Sequence, residues 1–384
     1  MRQPATSALS AAASRSRLVA SAFLMLLISA FATRNPVLLA IYALAAAGVV
    51  LANIRVLGKM SGKERAMTAV LVAALTMMLP ISALRNVSAF AHYFVVLISL
   101  GAAYVLTRNL CVYVDASRLS LLGAQAVVVV YLGFSGLENF PLEEMLPDSS
   151  SNGVTSYLVL LQANYCIVNF LLHRRTSLAT SLTTLAICVV GYGRGSLLVA
   201  GGIVAFNLLF AVSLKSRMHA VVGTLLLLCV GFGVYAAFGE EIFTFIEINT
   251  KIGAGLEDEP REQIISDYIG KIDGLSFLIG ADYRGTVIAL DYFGNPHISY
   301  IRAHHIFGLP YLLVMLSMPL VLLWKGHAPS VKIFCGLMLG LILFRAFTEP
   351  ILFPTLFDLY YFSICFALSR HPPESARSLS QKVD

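Results

Sequence analysis

Residues 18–53 read LVASAFLMLLISAFATRNPVLLAIYALAAAGVVLAN: two apolar runs, Leu18 to Thr33 and Pro36 to Asn53, separated by Arg34 and Asn35 alone. Each run is apolar on all sides rather than along one stripe, and each approaches the ~20 residues needed to cross about 30 Å of hydrocarbon. Together they read as a hairpin of two membrane helices. The pattern recurs along the chain, at Met67 to Ala83, Val87 to Leu106, Leu119 to Phe134, Thr155 to Leu172, Thr176 to Val190, Ser196 to Leu214 and His219 to Phe238, and again at Gly308 to Trp324, Val331 to Phe347 and Thr355 to Leu368. The expected fold is therefore all-α, a polytopic transmembrane helical bundle of about 12 helices with one large, partly helical periplasmic loop.

Composition agrees. Of 384 residues 58% are hydrophobic and 12% charged, and mean hydropathy is +0.80, whereas a soluble domain carries about 25% charged residues. A soluble enzyme, a disulfide-stapled secreted domain and a nucleic-acid binder are excluded, and the lipid bilayer is the first expected partner. Membrane β-strands would alternate apolar and polar residues, which these runs do not. Six cysteines lie in or beside apolar runs and read as small packing residues, not as a disulfide framework or thiolate metal site. Ala30-Phe31-Ala32 after a basic, then apolar stretch resembles a cleavable signal, but the second run that follows at once favours the hairpin.

The net charge of +6 acquires meaning when divided by side. With the amino terminus inside, the cytoplasmic loops hold 18 basic and 4 acidic residues, a balance of +14, and the outer loops hold 9 basic and 17 acidic, a balance of −8. Both termini are then cytoplasmic. The chain divides into nine helices over residues 1–238, a large periplasmic loop over 239–307, and three further helices with a short tail over 308–384. A shorter loop, Ser135 to Val154, carries four acids and no base.

The large loop contains 11 acids, 5 bases and the histidines His297, His304 and His305. Asp258-Glu259-Pro260 suits a helix start, and Ile264, Ile265, Tyr268, Ile269 and Ile272 fall on one face before Gly274 ends the run. If the segment around His297 is helical, His297 and His304 share a face. The zinc-protease pattern needs histidines four apart with an intervening Glu, which this loop does not supply, so no metal is expected.

Five fragments, in order, carry a resemblance: Gly191-Tyr192-Gly193-Arg194-Gly195-Ser196 between two helices, a helix led by Arg261, the turn Leu278-Ile279-Gly280, His297-Ile298-Ser299-Tyr300, and Gly308-Leu309-Pro310 entering a span. Together they cover about Gly191 to Leu316, and they resemble the bacterial O-antigen polymerase and O-antigen ligase superfamily. Ile298 departs from the pattern, since such proteins usually have Asn after the His. The resemblance implies a metal-independent glycosyltransferase of the bacterial inner membrane with no cofactor. It would use an undecaprenyl-diphosphate-linked oligosaccharide and have a polysaccharide chain-length regulator as a partner.

The residues fit such chemistry. A diphosphate leaving group without a metal needs fixed cations, and arginine binds phosphate oxygens in pairs while staying charged. The outer-side candidates for the diphosphate are Arg85, Arg194, Arg261, Arg284 and Arg345, together with Arg302, the cases for Arg284 and Arg302 being the weaker; Glu349 and Asp358 are further acids or partners for Arg345. His297 is the candidate catalytic base. The expected activity is an O-antigen or exopolysaccharide polymerase; the alternatives are a ligase, a lipid-linked sugar flippase or other transporter, and a non-catalytic scaffold. Ionisable residues near span centres would mark a transporter. They are nearly absent here, and the polar chemistry collects in one loop.

Overall fold

The computed structural model describes residues 4–85, 87–136, 142–146, 150–213, 259–324 and 327–370, with positions 236, 240 and 244. Every regular element among them is helical: α1 (Pro4–Thr33), α2 (Pro36–Ala52), α3 (Ile54–Leu57), α4 (Gly62–Arg85), α5 (Ser88–Thr107), α6 (Leu110–Ser135), α7 (Ser151–His173), α8 (Leu178–Val190), α9 (Arg194–Ser213), α10 (Glu259–Gly270), α11 (Ser276–Ile279), α12 (Val287–Leu290), α13 (Ser299–Trp324), α14 (Pro329–Thr348) and α15 (Asp358–Arg370). Eight are long and apolar enough to cross a bilayer: α1 from Ser14 onward, α4, α5, α6, α7, α9, α13 and α14; α2 and α8 are shorter apolar helices. The chain is built as a multi-pass membrane protein. The run His219 to Phe238 and the start of the large loop lie outside the described residues, apart from those isolated positions.

Short polar turns set the hairpins. Asn35 accepts from the Val37 and Leu38 amides at 2.9 and 3.3 Å and caps α2, with Pro36 at its first position, where a missing N–H costs nothing. Asn109 caps α6 in the same way through Val112. The bundle is organised around α7, which is buried from Gly153 to Leu171 against α6, α8, α9, α14 and α15. The other seven long helices bury less than half of their length and turn Leu, Val and Phe side chains outward, as lipid-facing helices do. Inside, α7 carries Gln162, Asn164 and Asn169, and each has partners: Gln162 donates to Thr180 and Ser181 on α8, Asn164 accepts from Tyr113 on α6, and Asn169 donates to the Arg175 carbonyl. These bonds tie helices together where no water would otherwise satisfy the groups.

Several boundaries differ from the sequence expectation. The acidic loop gives way to α7 at Ser151, four residues before Thr155. The helix expected to run to Gly274 ends at Gly270, because Asp273 accepts the Leu275 and Ser276 amides and starts α11 instead. Ile264 and Tyr268 do enter a small core with Ile288 and Ile298, but Ile269 is 59% exposed and leaves the expected face. The span expected to open at Gly308 begins at Ser299, and Gly308 is a kink inside it. His297 therefore precedes the helix and shares no helical face with His304.

That kink is half of a joint between the 259–298 lobe and the bundle. Gly308 (φ 69°, ψ −176°) and Gly280 (φ 90°, ψ 145°) both occupy backbone conformations reserved for glycine. A Cβ at Gly280 would meet the His304 carbonyl, and one at Gly308 would meet the Leu278 carbonyl. Pro310 removes the amide that would bond the Ile306 carbonyl, and Ser82 of α4 donates to that carbonyl instead. Arg85 donates to the carbonyls of Ile279 and Gly280. His304 completes the joint: its Nε2 bonds the Phe277 carbonyl at 2.8 Å and so carries the proton, which leaves Nδ1 to accept from the Tyr268 hydroxyl at 2.8 Å. Burial holds the Tyr268 phenol above its ordinary pKa, keeping it a donor.

Gly280→Ala and Gly308→Ala should each destabilise the protein by at least about 1–3 kcal/mol from backbone strain alone, with steric overlap adding to it. Thermal unfolding in detergent should show both melting clearly below a surface control such as Gly274→Ala.

Candidate functional site

At the end of the bundle where α1 and α14 finish and α2, α5, α7 and α13 begin lies a cavity of about 730 Å³. Its polar lining includes Arg34, His92, His297, Arg302 and Glu349. Five separate stretches supply these groups: the α1–α2 turn, the amino-terminal part of α5, the 259–298 lobe, the first turn of α13, and the α14–α15 connection. An aromatic cluster closes one side: Phe31 packs on Phe357 with ring centroids 4.2 Å apart, and Tyr157 lies 5.3 Å from each. The amino-terminal end of α7 also reaches the cavity, through Ser150 and Gly153. Cations and a helix amino terminus around an open volume make a setting for an anion.

His297 sits at φ 53°, a left-handed conformation that His tolerates better than most residues. Asn295 accepts from its amide at 3.2 Å, and the Tyr292 ring stands edge-on at 5.3 Å. Its neighbours hold it there. Ile298, in the position where the resemblance calls for Asn, is buried in the small core of the lobe. Ser299 donates to the Glu349 carbonyl at 2.7 Å and accepts from the Leu352 amide at 3.1 Å, while Tyr300 donates to the Leu343 carbonyl at 2.5 Å. Ser299 and Tyr300 thus pin the start of α13 to α14 and its exit. Arg302, one turn on, donates to the Pro350 carbonyl at 3.2 Å. The buried Asp358 carboxylate accepts the Phe353 and Thr355 amides at 2.8 and 3.1 Å and shapes the loop under Arg302.

Behind this wall Arg345 is 2% exposed. It donates to Thr348 Oγ1 and Ser156 Oγ, both at 2.6 Å, and approaches Glu349 Oε1 at 3.5 Å; Arg261 reaches the same oxygen at 3.9 Å. Glu349 is therefore shared by two of the arginines singled out from sequence and faces the cavity as well. The Gly191–Ser196 turn packs on this group: a Cβ at Gly195 would stand 2.6 Å from Arg345 Nη1, and Thr155 of α7 bonds Ser196 at 2.9 Å. Arg194 opens α9 directly beside it.

The remaining candidates are placed elsewhere. Arg85 is engaged by the carbonyls of the joint, and Arg284 pairs with Asp282 at 3.0 Å on an exposed surface. His305 stacks on Tyr283 at 3.7 Å and bonds the Ala281 carbonyl. Among the described residues no group of three His, Cys, Asp or Glu side chains is placed to hold a metal. Sequence reasoning missed Arg34 and His92. Arg34 lies in the very turn that reveals the hairpin, one of the few bases on the acidic side; His92 is hidden in an apolar run, one turn inside α5. Comparison with family models, curated proteins and solved structures finds no match for the chain.

Removing one partner from a buried ion pair costs about 3–5 kcal/mol because the other charge is left uncompensated. Arg345→Met should therefore lower the melting temperature markedly, and Arg345→Met with Glu349→Gln should recover part of the loss in a double-mutant cycle.

Proposed function

We propose that the chain is a metal-independent glycosyltransferase that polymerises an O-antigen or exopolysaccharide, transferring a glycan from undecaprenyl diphosphate to a lipid-linked repeat unit in this cavity. The observation that carries the reading is the convergence of Arg34, Arg302, His92 and His297 on one volume at the end of a membrane bundle. A lipid diphosphate has its charge at that level and its tail in the bilayer. The order of the fragments from Gly191 to Leu316 supports the same reading.

In this mechanism the diphosphate lies between Arg34 and Arg302, with Arg261 at the Glu349 side. His297 takes the proton from the acceptor sugar hydroxyl as that oxygen attacks the anomeric carbon. The bond from carbon to the diphosphate oxygen breaks, and the diphosphate leaves with the electron pair, its charge held by the guanidiniums. His297 then returns the proton to solvent. Arg345, buried behind Glu349, positions that carboxylate and sets the wall; Arg85 holds the lobe, and Arg284 lies outside the volume.

The proposed topology has twelve spans, the cavity on the periplasmic face of the inner membrane and both termini in the cytoplasm. Parity supports it: α9 and α13 both begin at the cavity end, as they would in a chain of twelve spans. Arg55, Lys59, Lys63, Arg108, Arg174 and Arg175 all lie at the opposite end, as the positive-inside rule requires of a cytoplasmic face.

Replacing His297 by Ala should slow transfer by about a hundredfold to ten-thousandfold, and Arg302→Ala should abolish long polymer, with inserted protein at normal levels. Gel display of surface polysaccharide in a deletion host carrying each variant reads the outcome. Retention of one-unit product with loss of the ladder supports a polymerase; loss of all transferred units with lipid-linked chains accumulating outside indicates a ligase. A wild-type ladder from an inserted His297→Ala variant overturns the catalytic role.

A further inference from the structure

The segment Leu275 to Ile279 leaves large apolar side chains uncovered: Leu275 is 66%, Phe277 53% and Leu278 51% exposed. Its backbone, in contrast, is held rigidly. Asp273 accepts the Leu275 and Ser276 amides, His304 binds the Phe277 carbonyl, and Arg85 binds the Ile279 carbonyl. The side chains are thus presented outward from a hydrogen-bonded backbone frame.

The level of this finger is set by its attachment. Arg85 ends α4, a helix long and apolar enough to span the bilayer, and the residues beside it, Leu84 and Val87, are 88% and 77% exposed. The finger therefore continues an outward-facing apolar belt at the height where the hydrocarbon ends. Polar residues bracket it, with Lys271 and Asp273 before and Asp282 and Arg284 after. An apolar stretch between charged flanks at that depth matches the physics of an interfacial anchor, whose apolar side chains enter the acyl boundary while its charges stay among headgroups.

We propose that Leu275, Phe277 and Leu278 insert into the bilayer interface and that the lipid, not a protein partner, covers them. The anchor fixes the 259–298 lobe against the membrane surface and so holds His297 at headgroup height. This inference rests on the bilayer placement of the bundle and is independent of the glycan reading.

The chain's single tryptophan, Trp324, makes a direct test available. The Trp324→Phe protein, further changed by Phe277→Trp, is reconstituted into phosphatidylcholine–phosphatidylglycerol vesicles with ordinary or brominated acyl chains. The expected result is blue-shifted emission that loses most of its intensity in brominated vesicles and little on adding iodide. Leu275→Trp in the same background should behave alike and stands in if the first variant does not fold. Red-shifted emission quenched by iodide and not by bromine overturns the proposal, as does emission protected from both quenchers in a chain that cross-links as a dimer. Emission is read whether or not any glycan is made, so failure of the enzymatic reading leaves this outcome intact.

Discussion

Backbone meeting backbone at Gly280 and Gly308 is the contact on which the arrangement of the cavity depends. A bundle of apolar helices can close its own core by packing, but it has no means of positioning an irregular polar lobe above that core. Here the lobe is brought so close to α13 that no Cβ fits at either glycine. The carbonyls exposed by the kink and by the turn are taken up by Ser82, Arg85 and His304. Those carbonyls each have a donor, which a water-poor setting demands. Because the joint is on one side of α13 and His297 is immediately before it, the lobe has little freedom to carry His297 away from Arg302.

The cavity wall follows a second rule, that a buried cation must be surrounded by acceptors. Arg345 is enclosed by Ser156, Thr348 and Glu349 and cannot reach out, whereas Arg34 and Arg302 border open volume. Arginines on the same face of the membrane are thereby sorted into those that hold the wall and those available to a ligand. Glu349 joins both sets, since one face of its carboxylate meets Arg345 and Arg261 while its residue also lines the cavity.

The helical class and the position of most spans were legible because lipid imposes a long, uniform signal that needs no tertiary knowledge. The start of α13 was not: Gly308 and Pro310 look like a helix entrance, and only the packing of Gly280 against His304 shows that helix precedes them. The candidate site was legible in part. His297 and Arg302 do face one cavity, but charge balance by side cannot say whether an arginine faces a carboxylate, a carbonyl or open space, which is what separates Arg345, Arg85 and Arg34. Ser299 and Tyr300 belong to a stretch on which the resemblance rests, yet their hydroxyls are spent on the Glu349 and Leu343 carbonyls. Ile298, between them and His297, is buried in the small core of the lobe.

The burial of α7 among its neighbours has a consequence for how the protein is made. Its polar side chains point toward α6 on one flank and toward α8 on the other, so no orientation shields them all from lipid before both neighbours exist. When α7 leaves the ribosome, α6 is already inserted but α8 is not yet synthesised, and Gln162 must wait for Thr180 and Ser181. Synthesis of the middle of the chain is therefore a stage of biogenesis at which polar groups of a membrane-embedded helix still lack the partners they hold in the finished bundle.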